Sequence, residues 1–197
     1  MESEAKTEQS SQHKAALMVQ IREAYGRVVY TYTAHNKLHN RITANTTRIK
    51  LVQILLAAIS TGGFLGSAIS NEAIATWIGG ICATLLLAVN LYFKDFNSSE
   101  QIAQHRKAAD SLWLIREQYI SLLTDFSILT NIEMANKRDE LQSKTYEVYK
   151  QSPKTDAKSY AATQKALKCE EEQFFTSEEI DKMLPSHLRS YKGKGGQ

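Results

Sequence analysis

Two cysteines, two prolines and nine glycines among 197 residues leave the chain little covalent cross-linking and few enforced stops. Cys82 lies inside an apolar run and Cys169 far outside it, so an intrachain disulfide is not expected and both read as packed thiols. Catalytic signatures are missing as well: there is no glycine-rich phosphate loop, no Ser-His-Asp ordering and no Cys-x-x-Cys pair. These absences disfavour a hydrolase or nucleotide-binding enzyme, and no cofactor is expected. The formal net charge is only +3, and no stretch of Lys and Arg is dense enough to hold nucleic acid. Positions 1–12 carry no apolar segment, so no cleavable signal peptide is expected. No internal repeat and no clear period-two alternation is found, which leaves helices as the building material.

Charge is absent from two long stretches. Leu51 to Ile69 (LVQILLAAISTGGFLGSAI) and Ala73 to Phe93 (AIATWIGGICATLLLAVNLYF) contain no Asp, Glu, Lys or Arg and are parted by Ser70-Asn71-Glu72. At ~1.5 Å per residue, each helix would cross a hydrocarbon core of roughly 30 Å, where a central charge costs ~2.5–3.5 kcal/mol. Gln53 and Asn90 are the strongly polar side chains inside the runs, and both fall near the same membrane face. The competing possibility, a buried hairpin of a soluble protein, needs other elements to cover both helices on all sides, and the rest of the chain is too polar for that. The mean hydropathy of -0.36 averages over this segregation and conceals it.

Basic residues set the orientation. Arg41, Arg48 and Lys50 precede the first run, Lys94, Arg106 and Lys107 follow the second, and the connecting turn has only Glu72. Short loops kept on the cytoplasmic side carry the Lys and Arg excess, so both termini are expected in the cytoplasm of a multi-pass membrane protein. The flanking cations also suit anionic lipid, making the bilayer the first partner. The expected organisation is a tail and cytoplasmic helix over 1–50, the hairpin over 51–93, a cytoplasmic bundle over 94–190 and a disordered glycine-containing tail over 191–197.

Leu17, Ile21, Ala24, Val28, Thr31, His35, Leu38, Ile42 and Asn45 recur at alternating steps of four and three, the spacing of a helix that packs along another. Only Gly26 interrupts that stretch, so the helix can run straight into the first span. After the second span, Ser98 with Gln101 fits a capping box, and Ala108, Leu112, Ile115, Tyr119, Leu122, Phe126 and Leu129 repeat the four-three spacing. A tight hairpin forces these two extensions to emerge side by side and antiparallel, so the seams should pack on each other. A helix from Glu133 to Gln151 presents Leu141, Thr145 and Val148 on one face and ends before Pro153; another is expected from about Asp156 to Gln173. Thr176 and Glu179 make a further capping box, and Pro185 closes that element. The fold class is all-α: a two-helix transmembrane hairpin continuous with an antiparallel bundle.

His35 and His39 lie four apart and could share a metal, but HNKLH lacks the glutamate of a zinc-protease motif, and a seam or surface role fits better. Glu170, Glu171 and Glu172 read as a solvated helix face. Ala58, Gly62, Gly66 and Ser70 form a stripe of small residues on the first span, with Gly63 and Ser67 offset by one; Gly80, Thr84 and Ala88 form a stripe on the second. Small residues let membrane helices approach closely. Two stripes that merely pack on each other would be used up within one hairpin. The first span also carries Ser60 and Thr61, which leaves small surface for neighbouring subunits or a lumen, and a homo-oligomer is expected.

EAYGRVVYTYTAH in the first helix, the glycine-rich hairpin, HRKAADSLWLIREQYISLLTDF, RDEL at Arg138 to Leu141, the proline-interrupted helix and FFTSEEIDKMLP together resemble the SLATT family. These are bacterial two-transmembrane-helix proteins associated with nucleotide-second-messenger and related conflict systems. The resemblance implies a membrane effector that forms a pore or disrupts the membrane when a partner sensor, nucleotide synthase or second messenger reports infection. It carries no active-site residue, since its motifs are helix patterns. A membrane-anchored scaffold that recruits a cytoplasmic partner without conducting is the rival. With Cys82 and Cys169 replaced, a cysteine at Asn71 is expected to react with an impermeant reagent in intact cells while one at Ser190 stays protected; the reverse labelling would invert the topology.

Overall fold

The computed structural model describes residues 2–70, 73–94 and 97–189, with side chains at all of these except 2–4, 70 and 188. The expected turn at Asn71-Glu72, the side chain of Ser70 and the tail over 191–197 lie outside the described residues. Every regular element described is helical: α1 (Glu2–Ser70), α2 (Ala73–Phe93), α3 (Ser98–Thr124), α4 (Asn131–Gln151), α5 (Ala157–Lys168) and α6 (Ser177–Met183), with short 3-10 turns at Asp125–Ser127 and Ser186–Leu188.

The polar seam and the first apolar run are one helix. Alanine, leucine and charged residues fill α1, and no proline breaks it, so helical hydrogen bonding continues through the polar-to-apolar boundary. Opposite α1 lies α2 and then α3, in one antiparallel register. Lys14 donates to the carbonyls of Ser127 and Leu129, His35 meets His105, and Gln53 bonds Asn90. Ser67 bonds Thr76 at the far end.

The α1–α3 seam forms the core of the polar half. Leu17, Ile21, Val28, Leu38, Leu112, Ile115, Tyr119 and Leu122 are buried, and Phe126 packs partly buried against them. Each large side chain removed from water contributes ~1.5–3 kcal/mol, so this row outweighs the exposed ion pairs around it, each worth ~0–1 kcal/mol. Leu141 and Met134 add α4 to the bundle, and Thr130 with Glu133 forms a capping box that fixes where α4 starts.

Three local expectations are corrected. Ser98 and Gln101 form no capping box: Ser98 is already helical, Asn97 is the N-cap without a side-chain cap bond, and the Asn97 amide donates to Glu100 instead. Asn45 is exposed, because the packed positions run Leu38, Ile42, Thr46, Ile49, Gln53, taking two successive steps of four. Such a step adds residues to the heptad and locally unwinds the supercoil, just before the apolar run begins. Helix α5 stops at Lys168, short of Gln173. The Glu170 amide reaches back to Lys165, and Glu171 and Gln173 take left-handed backbone at φ 49° and 74°. The acidic triplet therefore sits in a turn, where Glu170 pairs with Lys165 and Glu172 with Lys37.

Leu112 is fully buried and Leu114 on the same helix is 54% exposed. Leu112→Asp is expected to lower stability by at least about 3 kcal/mol and disrupt assembly, since it leaves an uncompensated charge in the seam. Leu114→Asp should stay within about 0.5 kcal/mol. Thermal unfolding and oligomer size in detergent measure both, and equal behaviour of the two variants would displace the seam.

Candidate functional site

The apolar hairpin is almost wholly uncovered. Leu51, Ile54, Leu55, Leu65, Ile74, Trp77, Ile81, Leu87 and Leu91 each expose about half or more of their surface. In water this would be a very large apolar patch, and both helices are long and apolar enough to cross a membrane. Trp77 stands near one end of α2 and Tyr92 at the other, where aromatic rings anchor a span at the two interfaces.

Glycine decides how the two spans meet. A Cβ on Gly63 would come within 2.8 Å of the Ala75 carbonyl oxygen, and one on Gly79 within 3.1 Å of the Ser60 carbonyl oxygen. Ser60 and Gly79 are the buried residues of this contact, and Ser67 bonds Thr76 beside it. Close backbone approach of this kind supplies packing contacts in lipid, where burial of apolar surface supplies nothing. At the opposite end the Gln53 amide donates to the Asn90 carbonyl oxygen at 2.9 Å, so these two polar side chains satisfy each other.

Intrachain packing therefore uses Gly63 and Ser67, the row offset by one in the sequence, together with Ser60, which was expected on the surface left for neighbouring subunits and is instead buried against Gly79. Ala58 and Gly62 of the main stripe point elsewhere: Ala58 is exposed, and a Cβ at Gly62, Gly66 or Gly80 would meet open space. Thr84 and Ala88 are exposed, the Thr84 hydroxyl donating to the Gly80 carbonyl of its own helix. The two stripes do not pack on each other within the hairpin.

Below the spans a polar cluster ties three helices together. His35 and His105 are each 3% exposed, and their Nδ1 atoms lie 2.9 Å apart. Burial first, and the facing His105 second, hold His35 down to about 4. His105 is lowered by burial and then by His39, against the opposing charge of Asp156. Both rings are neutral at pH 7, so one donates Nδ1–H and the other accepts. His39 does not join His35 as a metal pair; its Nδ1 bonds the Ile102 carbonyl at 3.0 Å, and no group of three metal-ligating side chains occurs among the described residues. Asp156 caps α5 through the Ser159 amide and is paired with Arg41, whose hydrogen bond is the main cause holding its carboxyl down to about 2. Gln173 donates to Thr33 at 2.9 Å. His105 escaped the sequence reading although it stands three before Ala108 and so continues the α3 seam.

An uncovered apolar hairpin borne on a helical bundle defines a two-span helical membrane protein. The family model described as SMODS and SLOG-associating 2TM effector domain family 4 (SLATT family 4) matches residues 17–179, and the chain belongs to that family. It is thus a two-transmembrane effector of the kind associated with SMODS and SLOG conflict systems. The match starts at the first seam leucine and ends within α6. No curated protein and no solved structure matches the chain.

Gly63→Leu is expected to force the spans apart and lower hairpin stability by about 1–3 kcal/mol or more, because backbone atoms cannot yield as side chains do. Gly62→Leu should leave the hairpin intact. Crosslinking between cysteines placed at Gln53 and Asn90 reads this directly: it should fall in the first variant and persist in the second.

Proposed function

We propose that the protein is the membrane effector of a bacterial conflict system, antiphage or abortive-infection in kind. In this reading it is seated in the inner membrane with both termini cytoplasmic, assembles as a homo-oligomer, and forms a pore or disrupts the membrane on a cytoplasmic signal. It acts without catalysis. What supports the reading is the division of small residues in the hairpin: one row is spent on intrachain contact, while Ala58, Gly62, Thr84 and Ala88 remain on outward faces that other copies can approach closely.

Gating follows from the continuity of α1. A sensor, nucleotide synthase product or other signal that binds one arrangement of the bundle more tightly shifts the spans with it, by no more than its difference in affinity. The rival, a scaffold that recruits a partner without conducting, draws on the segment around α6, where Phe174, Phe175, Ile180 and Met183 stand exposed.

Induced expression of the wild type with its activating system is expected to depolarise cells. Gly62→Leu should abolish depolarisation at equal membrane abundance, since the bulky side chain separates copies while making the span more apolar. Unchanged depolarisation would remove this face from function, and its absence in the wild type would favour the scaffold.

A further inference from the structure

Three features of the polar half play no part in the pore reading. The cleft between α3 and α4, lined by Leu114, Ile115 and Val148, is open, and nothing marks an occupant. Nothing marks an occupant for the exposed apolar residues around α6 either. The buried histidine pair differs, because its geometry fixes what it can bind.

Two imidazoles joined through their Nδ1 atoms can hold one proton between them. A first added proton settles on the free Nε2 of the donor ring and leaves the bond intact, but it places a positive charge inside the seam. A second must go to the accepting Nδ1, which leaves two donors facing each other and two like charges at contact. Both additions are opposed while the seam is closed and unopposed once water reaches the rings. The pair joins α1, which becomes the first span, to α3, which follows the second span, so its separation is a separation of the hairpin's two stems.

We propose that His35 and His105 form a proton-binding latch: the neutral pair holds α1 against α3, and proton uptake accompanies opening of the seam. The surrounding charges are placed consistently with this. From α1, His39 opposes charge on His105; from the start of α5, Asp156 favours it but is already held by Arg41. Glu172, in the turn after α5, is paired with Lys37. On the α4 side, the cleft bordered by Gln104 and Ala108 carries Lys107 and Glu147, one of each sign. Among the described residues no carboxylate is bonded to either ring that would hold it charged in the closed seam.

The sign is fixed. Both rings are depressed in the closed state, so closure is fully favoured above the ordinary histidine value near 6.5 and is progressively lost as pH falls below it. Each ring contributes up to about tenfold per pH unit in that range. Between pH 7.5 and 5.5 the ratio of open to closed seam should therefore rise by about tenfold through His35 alone, with His105 adding in the same direction.

The test uses the full chain in lipid nanodiscs, with Cys82 and Cys169 replaced and spin labels at Asn40→Cys on α1 and Gln101→Cys on α3. Pulsed distance measurements should show a longer population growing as pH falls from 7.5 to 5.5, and His35→Leu with His105→Leu should abolish that response. If the apolar pair fails to fold, His35→Gln with His105→Gln keeps a neutral hydrogen bond, cannot titrate, and should likewise be insensitive to pH. A wild-type distance that does not change, or a response that survives in either double variant, overturns the latch. The readout is separation of the stems rather than conductance, so it is independent of whether the spans form a pore.

Discussion

One antiparallel register governs the molecule. The same helix, α1, pairs with α2 in the apolar half and with α3 in the polar half, and the contacts from Lys14 with Leu129 to Ser67 with Thr76 all follow that alignment. Sliding α1 by one turn would break the Gln53–Asn90 bond, bring side chains against the Gly63–Gly79 crossing and separate His35 from His105 together. The hairpin and the bundle are therefore specified jointly. Membrane helices have little hydrophobic drive to choose a register, and here the seam, whose leucines and isoleucines are buried in the ordinary aqueous way, supplies it.

The two halves are held by different physics along one rod. In the polar half, large side chains interlock and the backbones stay apart; in the apolar half, glycines and serines bring the backbones together. The junction lies at Ile42 and Thr46, where two steps of four replace the alternation and rotate the packed face. Near that junction stand the polar ties His39 to Ile102 and Arg41 to Asp156, which hold α3 and α5 close to the membrane-proximal end of the bundle.

Much of this was readable in the residues, for reasons that also mark where reading stopped. The seams were legible because Leu17 through Leu38 and Ala108 through Phe126 keep an alternating four-three spacing of mostly apolar or small side chains, and the spans because they lack charge. The α6 capping box at Thr176 and Glu179 was legible, and the same pattern at Thr130 and Glu133 was overlooked. The inward face of the hairpin was not legible. Gly62 and Gly63 are neighbours in rows of equally small residues, and which row turns inward depends on the phase shift at Ile42–Thr46, visible only once Asn45 is seen to be exposed. The end of α5 was hidden for another reason: Glu171 and Gln173 adopt left-handed backbone beside tertiary contacts to Lys37 and Thr33 that no local pattern announces.

The unbroken passage of α1 from seam to span also makes the bundle responsive to the bilayer itself. A span longer than the local hydrocarbon thickness tilts to bury its apolar length, and α1 has no proline or turn at which that tilt can be absorbed. Thinning of the membrane is thereby transmitted as a lean of the polar stem some tens of residues away. The hydrocarbon thickness of the host membrane becomes a mechanical input to the helical bundle, alongside any ligand that reaches it from the aqueous side.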